Sequence, residues 1–133
     1  MPRPPSFPFR PKSTVNLRIG DLLEVRREDG RWGCLQVTDL KESGPGSRTS
    51  LVVGVLPWVG GYPPTSAEVV GMAVIEQGLT HTDIFTEGRL KVVGHSDALP
   101  SGLDSNYRDN HIGARHKVWG WRKAIEMSQT LVP

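Results

Sequence analysis

The fold is decided by residues 21–39, which read DLLEVRREDGRWGCLQVTD. Residues 21–26 and 31–39 each have the length and the alternating apolar content of a β-strand. Between them lies Glu28-Asp29-Gly30-Arg31, and an Asp-Gly pair tolerates the positive φ angles of a tight turn. This stretch therefore predicts an antiparallel hairpin.

Further short strands are predicted on the C-terminal side of this hairpin. Residues 51–56 form a mostly apolar run of strand length, which predicts a central strand buried on both faces. Residues 72–75 and 89–94 predict two more strands, because Gly71 argues against a helix before the first and apolar residues recur in the second. Residues 117–121 return to strand character.

Helical segments are predicted to be few and short. Thr65 or Ser66 can begin a helical turn that contains Glu68. Residues 80–87 predict a short helix that ends at Gly88. Residues 122–129 either continue the last strand or form a C-terminal helix. The remaining segments are rich in Gly, Pro and polar residues and predict a mobile connection over 41–48 and irregular loops over 57–64 and 99–110.

The composition agrees with a β-rich domain. The chain has 133 residues, which suits one domain, and its 15 Gly and 11 Pro exceed the usual share of these residues. Many short strands and turns are therefore expected instead of a helix bundle. The predicted fold class is α+β, mostly β: a small antiparallel, partly open SH3-like barrel with one or two short helices.

Residues 1–12 differ in composition from the rest of the chain. They contain five prolines together with Arg3, Arg10 and Lys12, which predicts a flexible, Pro-rich basic arm. Residues 13–133 are then expected to form a single globular domain. That part carries 13 basic and 14 acidic residues, so the formal net charge of +2 comes from the arm.

The sequence favours a cytoplasmic location. Its first residues contain no apolar run, and the longest uncharged stretch, residues 49–67, contains three prolines and so cannot form a membrane-spanning helix. The single cysteine, Cys34, excludes a disulfide within the chain and fits a reducing compartment. Because Cys34 lies in a predicted strand, we expect a buried and inert thiol.

No catalytic or metal site is expected. Residues 94–98, GHSDA, resemble a nucleophile elbow, but an elbow needs a helix after the serine and a large parallel sheet, and here Pro100 and Gly102 follow. Two His-x-Asp pairs, residues 81–83 and 95–97, could join a distant histidine in a metal triad. Each pair falls where Asp and Ser commonly cap turns, so a metal-dependent enzyme is a third choice, and neither metal nor cofactor is predicted.

The basic and aromatic segment 108–123 is the candidate for nucleic-acid binding. Arginine and lysine neutralise phosphates, and indole rings are stacking platforms for bases. If the segment is a strand, Trp119 and Trp121 share one face, and the same spacing is also typical of two core residues. The candidate residues within this segment are Arg115, Lys117, Trp119, Trp121, Arg122 and Lys123.

Trp58 and Tyr62 lie in the predicted Gly- and Pro-rich loop 57–64. Exposed aromatic residues of this kind anchor protein interfaces. The same two side chains could instead fold back and cover the open end of a barrel. The sequence leaves both possibilities open.

Two blocks of the sequence together resemble the immunity protein 26 family of bacterial polymorphic-toxin systems. The first block comprises IGDLLEV at 19–25, DGRWG at 29–33 and LQV at 35–37. The second comprises EGRLKVVGH at 87–95, followed by Leu99-Pro100. The family usually has a tryptophan where this chain has Leu90, and residues 99–116 have no counterpart in the pattern.

The resemblance implies a protein that is not an enzyme. Such a protein binds a cognate bacterial toxin and blocks its active site or substrate entrance by surface complementarity. The anchors expected on the partner-binding surface are Trp58, Tyr62, Tyr107 and Arg108, all in predicted loops. The alternative function is that of a small SH3-like-barrel protein that binds nucleic acid through residues 108–123 and the basic arm.

Overall fold

A computed structural model describes residues 6–41, 43–100 and 117–133, and its centre is a five-stranded antiparallel sheet. The strand order is β4-β3-β2-β1-β5. The predicted class, α+β and mostly β, is confirmed, and the sheet is not closed into a barrel. The elements are β1 Asp21–Arg26, β2 Trp32–Asp39, β3 Ser50–Gly60, α1 Ser66–Val69, β4 Glu76–His81, α2 Asp83–Thr86, β5 Val92–His95 and α3 Trp121–Thr130, with a 3₁₀ turn at Thr14–Asn16.

The predicted hairpin is confirmed as β1 and β2. Arg26 is paired with Trp32, and Gly30 has φ +86°, the left-handed conformation that the Asp-Gly pair suggests. Asp29 accepts hydrogen bonds from the backbone N–H of Arg31 and from the guanidinium groups of Arg27 and Arg31. These bonds, the side-chain bond from Arg31 first, hold the pKa of Asp29 well below its usual range.

The predicted central strand is confirmed, and it is longer than expected. All residues from Ser50 to Leu56 are buried in β3, which pairs with β2 on one side and β4 on the other. The prediction of an irregular segment from residue 57 is wrong up to Gly60. The register with β2 shifts between Gly33 and Leu35, and Pro57 falls in that irregularity. A bulge tolerates a proline because no ladder hydrogen bond is required of it there.

Each face of the sheet is covered by a different part of the chain. The first face is covered by α2, α3 and Trp119, and its buried side chains include Leu23, Leu35, Val37, Val53 and Phe85. The second face is covered by residues 61–75, which insert Val69 and Val74 over Leu22, Cys34, Leu56 and Trp58. The sheet therefore carries two separate apolar clusters.

The strand predicted at residues 72–75 is wrong, and β4 begins at Glu76 instead. Val74 packs closely against Gly54 of β3, because a Cβ atom added to Gly54 would lie 2.5 Å from Val74 Cγ1. The helix predicted over residues 80–87 is shortened to Asp83–Thr86, because Thr80 and His81 belong to β4. The predicted strand at 89–94 is confirmed over its second half as β5.

The strand predicted at residues 117–121 is also wrong, because only Val118 forms a bridge, with Leu79, and α3 begins at Trp121. Trp119 is 3% exposed and lies on Gly78 of β4. Trp121 lies against Gly88 and packs against the same core from the helix. Of the two options for residues 122–129, the helix is the one observed.

Short backbone contacts cover both edge strands. Phe9, in the segment predicted as an arm, donates to the carbonyl of Val92 in β5 at 3.0 Å and accepts from its N–H at 2.8 Å. On the other edge, Leu79 of β4 donates to Lys117 O and accepts from Trp119 N–H. Covered edges are protected from pairing with other chains. None of the helices in the described ranges is long and apolar enough to cross a membrane.

The contact between Trp119 and Gly78 predicts a position at which even a methyl group is destabilising. An added Cβ atom at Gly78 would overlap the indole ring, so Gly78→Ala should lower the free energy of unfolding by about 1–3 kcal/mol. Gly61→Ala is the control, because nothing lies within 4 Å of its added Cβ, and it should stay within about 0.5 kcal/mol of wild type. Urea denaturation measures both, and equal effects would contradict the packing.

Candidate functional site

The structure brings Trp58 and Tyr62 together but gives them different environments. Trp58 belongs to β3, is 9% exposed and packs across Gly60, where an added Cβ would lie 2.5 Å from its Cζ2. Tyr62 is 57% exposed and meets Trp58 edge-on, with ring centroids 6.4 Å apart. Trp58 therefore supports Tyr62 from below, and Tyr62 is the aromatic side chain that solvent reaches.

The hydroxyl of Tyr62 is held by α1. It donates to Glu68 Oε2 at 2.8 Å, and the other oxygen of Glu68 accepts from Thr65 Oγ1 at 2.9 Å. The hydrogen bond to Glu68, together with its negative charge, raises the pKa of Tyr62 above its ordinary value. The side chain of Tyr62 is thus held by one ring contact and one hydrogen bond.

The same segment exposes two further apolar side chains. Val70 and Ile75 are 70% and 45% exposed, whereas Val69 and Val74 beside them are buried under the segment. We call Tyr62, Val70 and Ile75 the apolar platform. An exposed aromatic residue with further exposed apolar residues on the same segment makes this segment the candidate for binding a protein.

Three of the predicted site residues, Tyr107, Arg108 and Arg115, lie outside the described residues. Both described lysines of the 108–123 segment are paired with carboxylates. Lys117 pairs with Glu76 at 2.8 Å, and this hydrogen bond lowers the pKa of Glu76. Lys123 lies 3.8 Å from Glu126 within α3.

The two tryptophans of that segment do not form the expected stacking surface. Trp119 is in the core, so it cannot receive a base. Trp121 is half-buried, and the guanidinium of Arg122 lies 5.0 Å from its ring centroid. Sequence spacing suggested one shared face because it assumed a strand, whereas a helix begins at Trp121.

A carboxylate–imidazole pair joins β1 to β5, and the sequence analysis did not find it. Asp21 is 1% exposed and lies 2.9 Å from His95 Nδ1. It also accepts from the backbone N–H of Arg18 at 2.9 Å. The backbone N–H of His95 donates to Ser66 Oγ at 3.0 Å, and its Nε2 lies 3.7 Å from the exposed Asp97.

This pair orients an imidazole ring, as catalytic dyads do. Ser96, the serine of the GHSDA sequence, donates its backbone N–H to Gly20 O at 3.0 Å, and its carbonyl accepts from Gln36 Nε2 at 2.7 Å. These bonds tie Ser96 to Gly20 and Gln36, and residues 96–100 are not helical, so Ser96 does not lie in an elbow. Asp21 and His95 are therefore assigned to fastening the start of β1 to the end of β5.

The signal for this pair was present in the two resemblance blocks. Gly20-Asp21 opens the first block and Gly94-His95 closes the second. Gly20 has φ +105°, and a Cβ there would lie 2.7 Å from His95 Cε1, so only glycine allows the ring to approach. Recognising the pair needed the antiparallel register that places Asp21 opposite His95.

Cys34 is 1% exposed on the second face of the sheet, as its strand position predicted. Burial raises the pKa of its thiol far above the ordinary value. Within residues 6–41, 43–100 and 117–133 no group of three His, Cys, Asp or Glu side chains is placed to hold a metal ion.

Comparison with known proteins adds no relative: no family model, no curated protein and no solved structure matches the chain.

The buried pair predicts unequal effects for two aspartates that both lie near His95. Asp21→Ala leaves the Arg18 N–H and the His95 ring without their acceptor, so it should lower the free energy of unfolding by about 1–3 kcal/mol. Asp97→Ala removes an exposed carboxylate and should change it by less than about 0.5 kcal/mol. Thermal or urea unfolding compares the two variants, and a neutral Asp21→Ala would show that the pair does not fasten the strands.

We predict that the thiol of Cys34 reacts only after unfolding exposes it. Because its raised pKa keeps the thiol protonated and the sheet covers it, iodoacetamide at pH 8 should modify the native protein at least about 100-fold more slowly than the urea-unfolded chain. Mass spectrometry over a time course measures both rates. Similar rates would contradict the burial of the second face.

Proposed function

We propose that this chain is a non-catalytic, cytoplasmic immunity-type protein that binds and neutralises a cognate bacterial toxin. The observation that carries the proposal is the apolar platform, in which Tyr62, 57% exposed, belongs to the same covering segment as the exposed Val70 and Ile75, and that segment is anchored to the sheet through Val69 and Val74. The resemblance supports it as well. Its two blocks, far apart in sequence, form β1, β2 and β5, which are neighbours in the sheet.

The platform has the properties of an interface anchor. Tyrosine combines a large apolar ring with a polar end and has few rotatable bonds. Here Glu68 and Trp58 already restrict those bonds, so little conformational entropy is lost when a partner binds. A preorganised tyrosine that a partner can bury is typical of a binding hot spot.

In this proposal the chain neutralises the toxin by covering part of its surface and not by catalysing a reaction. A toxin-binding surface of ordinary size buries about 800 Å² on each partner, which is larger than the platform alone. Tyr107 and Arg108 stay candidate contributors to that surface. The toxin's active site or substrate entrance would be blocked by the bound protein, and no residue of this chain takes part in a reaction.

A two-step experiment tests the proposal. Protein captured by this chain in the source organism is identified and expressed in a heterologous bacterium, with and without the chain. The proposal expects growth arrest by the captured protein alone and recovery when the two are co-expressed. A captured protein that is harmless, or toxicity that co-expression leaves unchanged, would contradict the immunity function.

Two matched valines locate the surface. Val70 is 70% exposed on the platform, and Val15 is 63% exposed in the 3₁₀ turn near the N-terminus. Val70→Asp should abolish rescue and, like Tyr62→Ala, weaken toxin binding by about 30-fold or more, the loss typical of a hot-spot residue. Val15→Asp should bind as wild type does. Calorimetry on purified proteins measures the affinities, and equal losses at both valines would remove the platform from the interface.

A further inference from the structure

A cavity of about 330 Å³ opens just before β5 begins, where the incoming chain is separated from β1. Pairing between the two strands ends at Leu23 and Val92, and one more hydrogen bond follows, from Glu24 N–H to Lys91 O at 3.2 Å. Beyond it, residues 88–91 diverge from β1, and α3 closes the gap with Ile125. The cavity thus lies at an edge of the sheet, beside α3.

The cavity combines an apolar floor with a cationic wall. Val25, Leu90 and Ile125 form the apolar part. The wall contains one tryptophan and three cations, against the single carboxylate of Glu24. We call this site the basic corner, and it consists of Arg26, Trp32, Arg89 and Lys91. Arg10 adds a fourth cation beside it, because its Nη2 donates to Arg89 O at 3.4 Å.

The three cations of the corner differ from Arg18, Arg27, Arg31, Lys117 and Lys123, each of which lies within ion-pair distance of a carboxylate. None of Arg26, Arg89 and Lys91 has a carboxylate oxygen of a described residue within ion-pair distance. By contrast, Arg27 and Arg31 both pair with Asp29, and Lys117 pairs with Glu76. A concave site with unpaired positive charges is complementary to an anion.

The backbone presents Arg89 in an unusual conformation. Its φ of +60° lies in the left-handed region, and Arg89 is the only described residue other than glycine with positive φ. Glycine would adopt this conformation with less strain, so the backbone conformation does not explain why this residue is an arginine. Strained residues of this kind cluster at ligand sites.

Arg26 lies over the ring of Trp32. Its guanidinium carbon lies 4.9 Å from the centroid of the Trp32 ring, and Trp32 is half-buried against the second apolar cluster. The ring contact holds the exposed guanidinium near the cavity, and nucleic-acid bases stack on guanidinium planes. Ile125 also lines a neighbouring cavity of about 380 Å³ that contains Arg122, which stacks on Trp121 in the same way. That cavity also contains Glu28 and Glu126, so its charge is less favourable.

We propose that the basic corner binds a nucleotide unit, with its phosphate at Arg89 and Lys91 and its base on the Arg26–Trp32 pair. The cavity volume is at the lower end of the range of ligand pockets, about 300–1,000 Å³, and suits one unit. The same chemistry is offered by a free nucleotide and by a single-stranded nucleic acid. The site is independent of the toxin-binding proposal and uses none of its residues.

Fluorescence polarisation with a labelled twelve-nucleotide thymidine strand tests the site in the full chain at two or more salt concentrations. Binding should weaken as salt rises, because phosphate contacts release counterions. Competition with ATP identifies the source: displacement assigns the site to free nucleotides, and no displacement assigns it to strands. No binding at low salt, or equal displacement by poly-glutamate, would overturn the proposal, because an acidic peptide offers charge without bases.

Charge-matched variants distinguish the corner from general attraction to a basic protein. Arg89→Gly removes the guanidinium while suiting the positive φ, and Lys91→Gln removes the second cation. Each should weaken binding at least about fivefold and reduce the salt slope by about one. Arg48→Gln is the control, because it removes an equal charge near the start of β3, whereas Trp32 of the corner pairs with Gly60 at the end of β3. This control variant should change the affinity less than twofold. Equal losses in all three variants would overturn the site, and urea unfolding confirms that each variant is folded.

Discussion

An eleven-residue strand whose first seven residues are all buried is stable in water only if both faces of its sheet are covered. In this protein β3 imposes that requirement, and two different segments meet it. Residues 61–75 cover one face with Val69 and Val74, and α2 and α3 cover the other. Glycines in the sheet make the close approach possible: Gly54 receives Val74, and Gly78 of β4 receives Trp119. Both proposed binding surfaces depend on these covering segments. The apolar platform lies on residues 61–75, and the basic corner lies beside α3.

Local chemistry explains which elements could be predicted. The hairpin depends on the Asp-Gly turn and on neighbouring residues, and β3 on an apolar run, so both are visible in the sequence. By contrast, β4 reads EQGLTH and shows little apolar alternation, because Trp119 fills the space above Gly78. The position of β4 depends on residues that are distant in sequence. The same is true of the helix that begins at Trp121 and of the continuation of β3 through Pro57. Tertiary packing therefore overrides local preference at these places.

The candidate sites divide in the same way. Tyr62 was predicted as a binding anchor from its loop composition, and its exposure agrees with that role, whereas Trp58 is largely buried beneath it. The Asp21–His95 pair joins residues 74 positions apart, and the basic corner takes its cations from β1 and from residues 89–91. No spacing rule within one segment finds such a site. What the sequence analysis could identify was the pair of blocks whose strands later proved to be neighbours.

Native-state hydrogen exchange on β3 tests most directly whether its two-sided burial holds the fold together. If it does, the amide hydrogens of residues 51–56 exchange only through global unfolding, with an opening free energy equal to that from urea denaturation. Residues 61–75 and α3, which lie at the surface, then open at equal or lower free energies. Exchange of β3 at a lower free energy than α3 would contradict the account, because the central strand would then open while its cover stays folded.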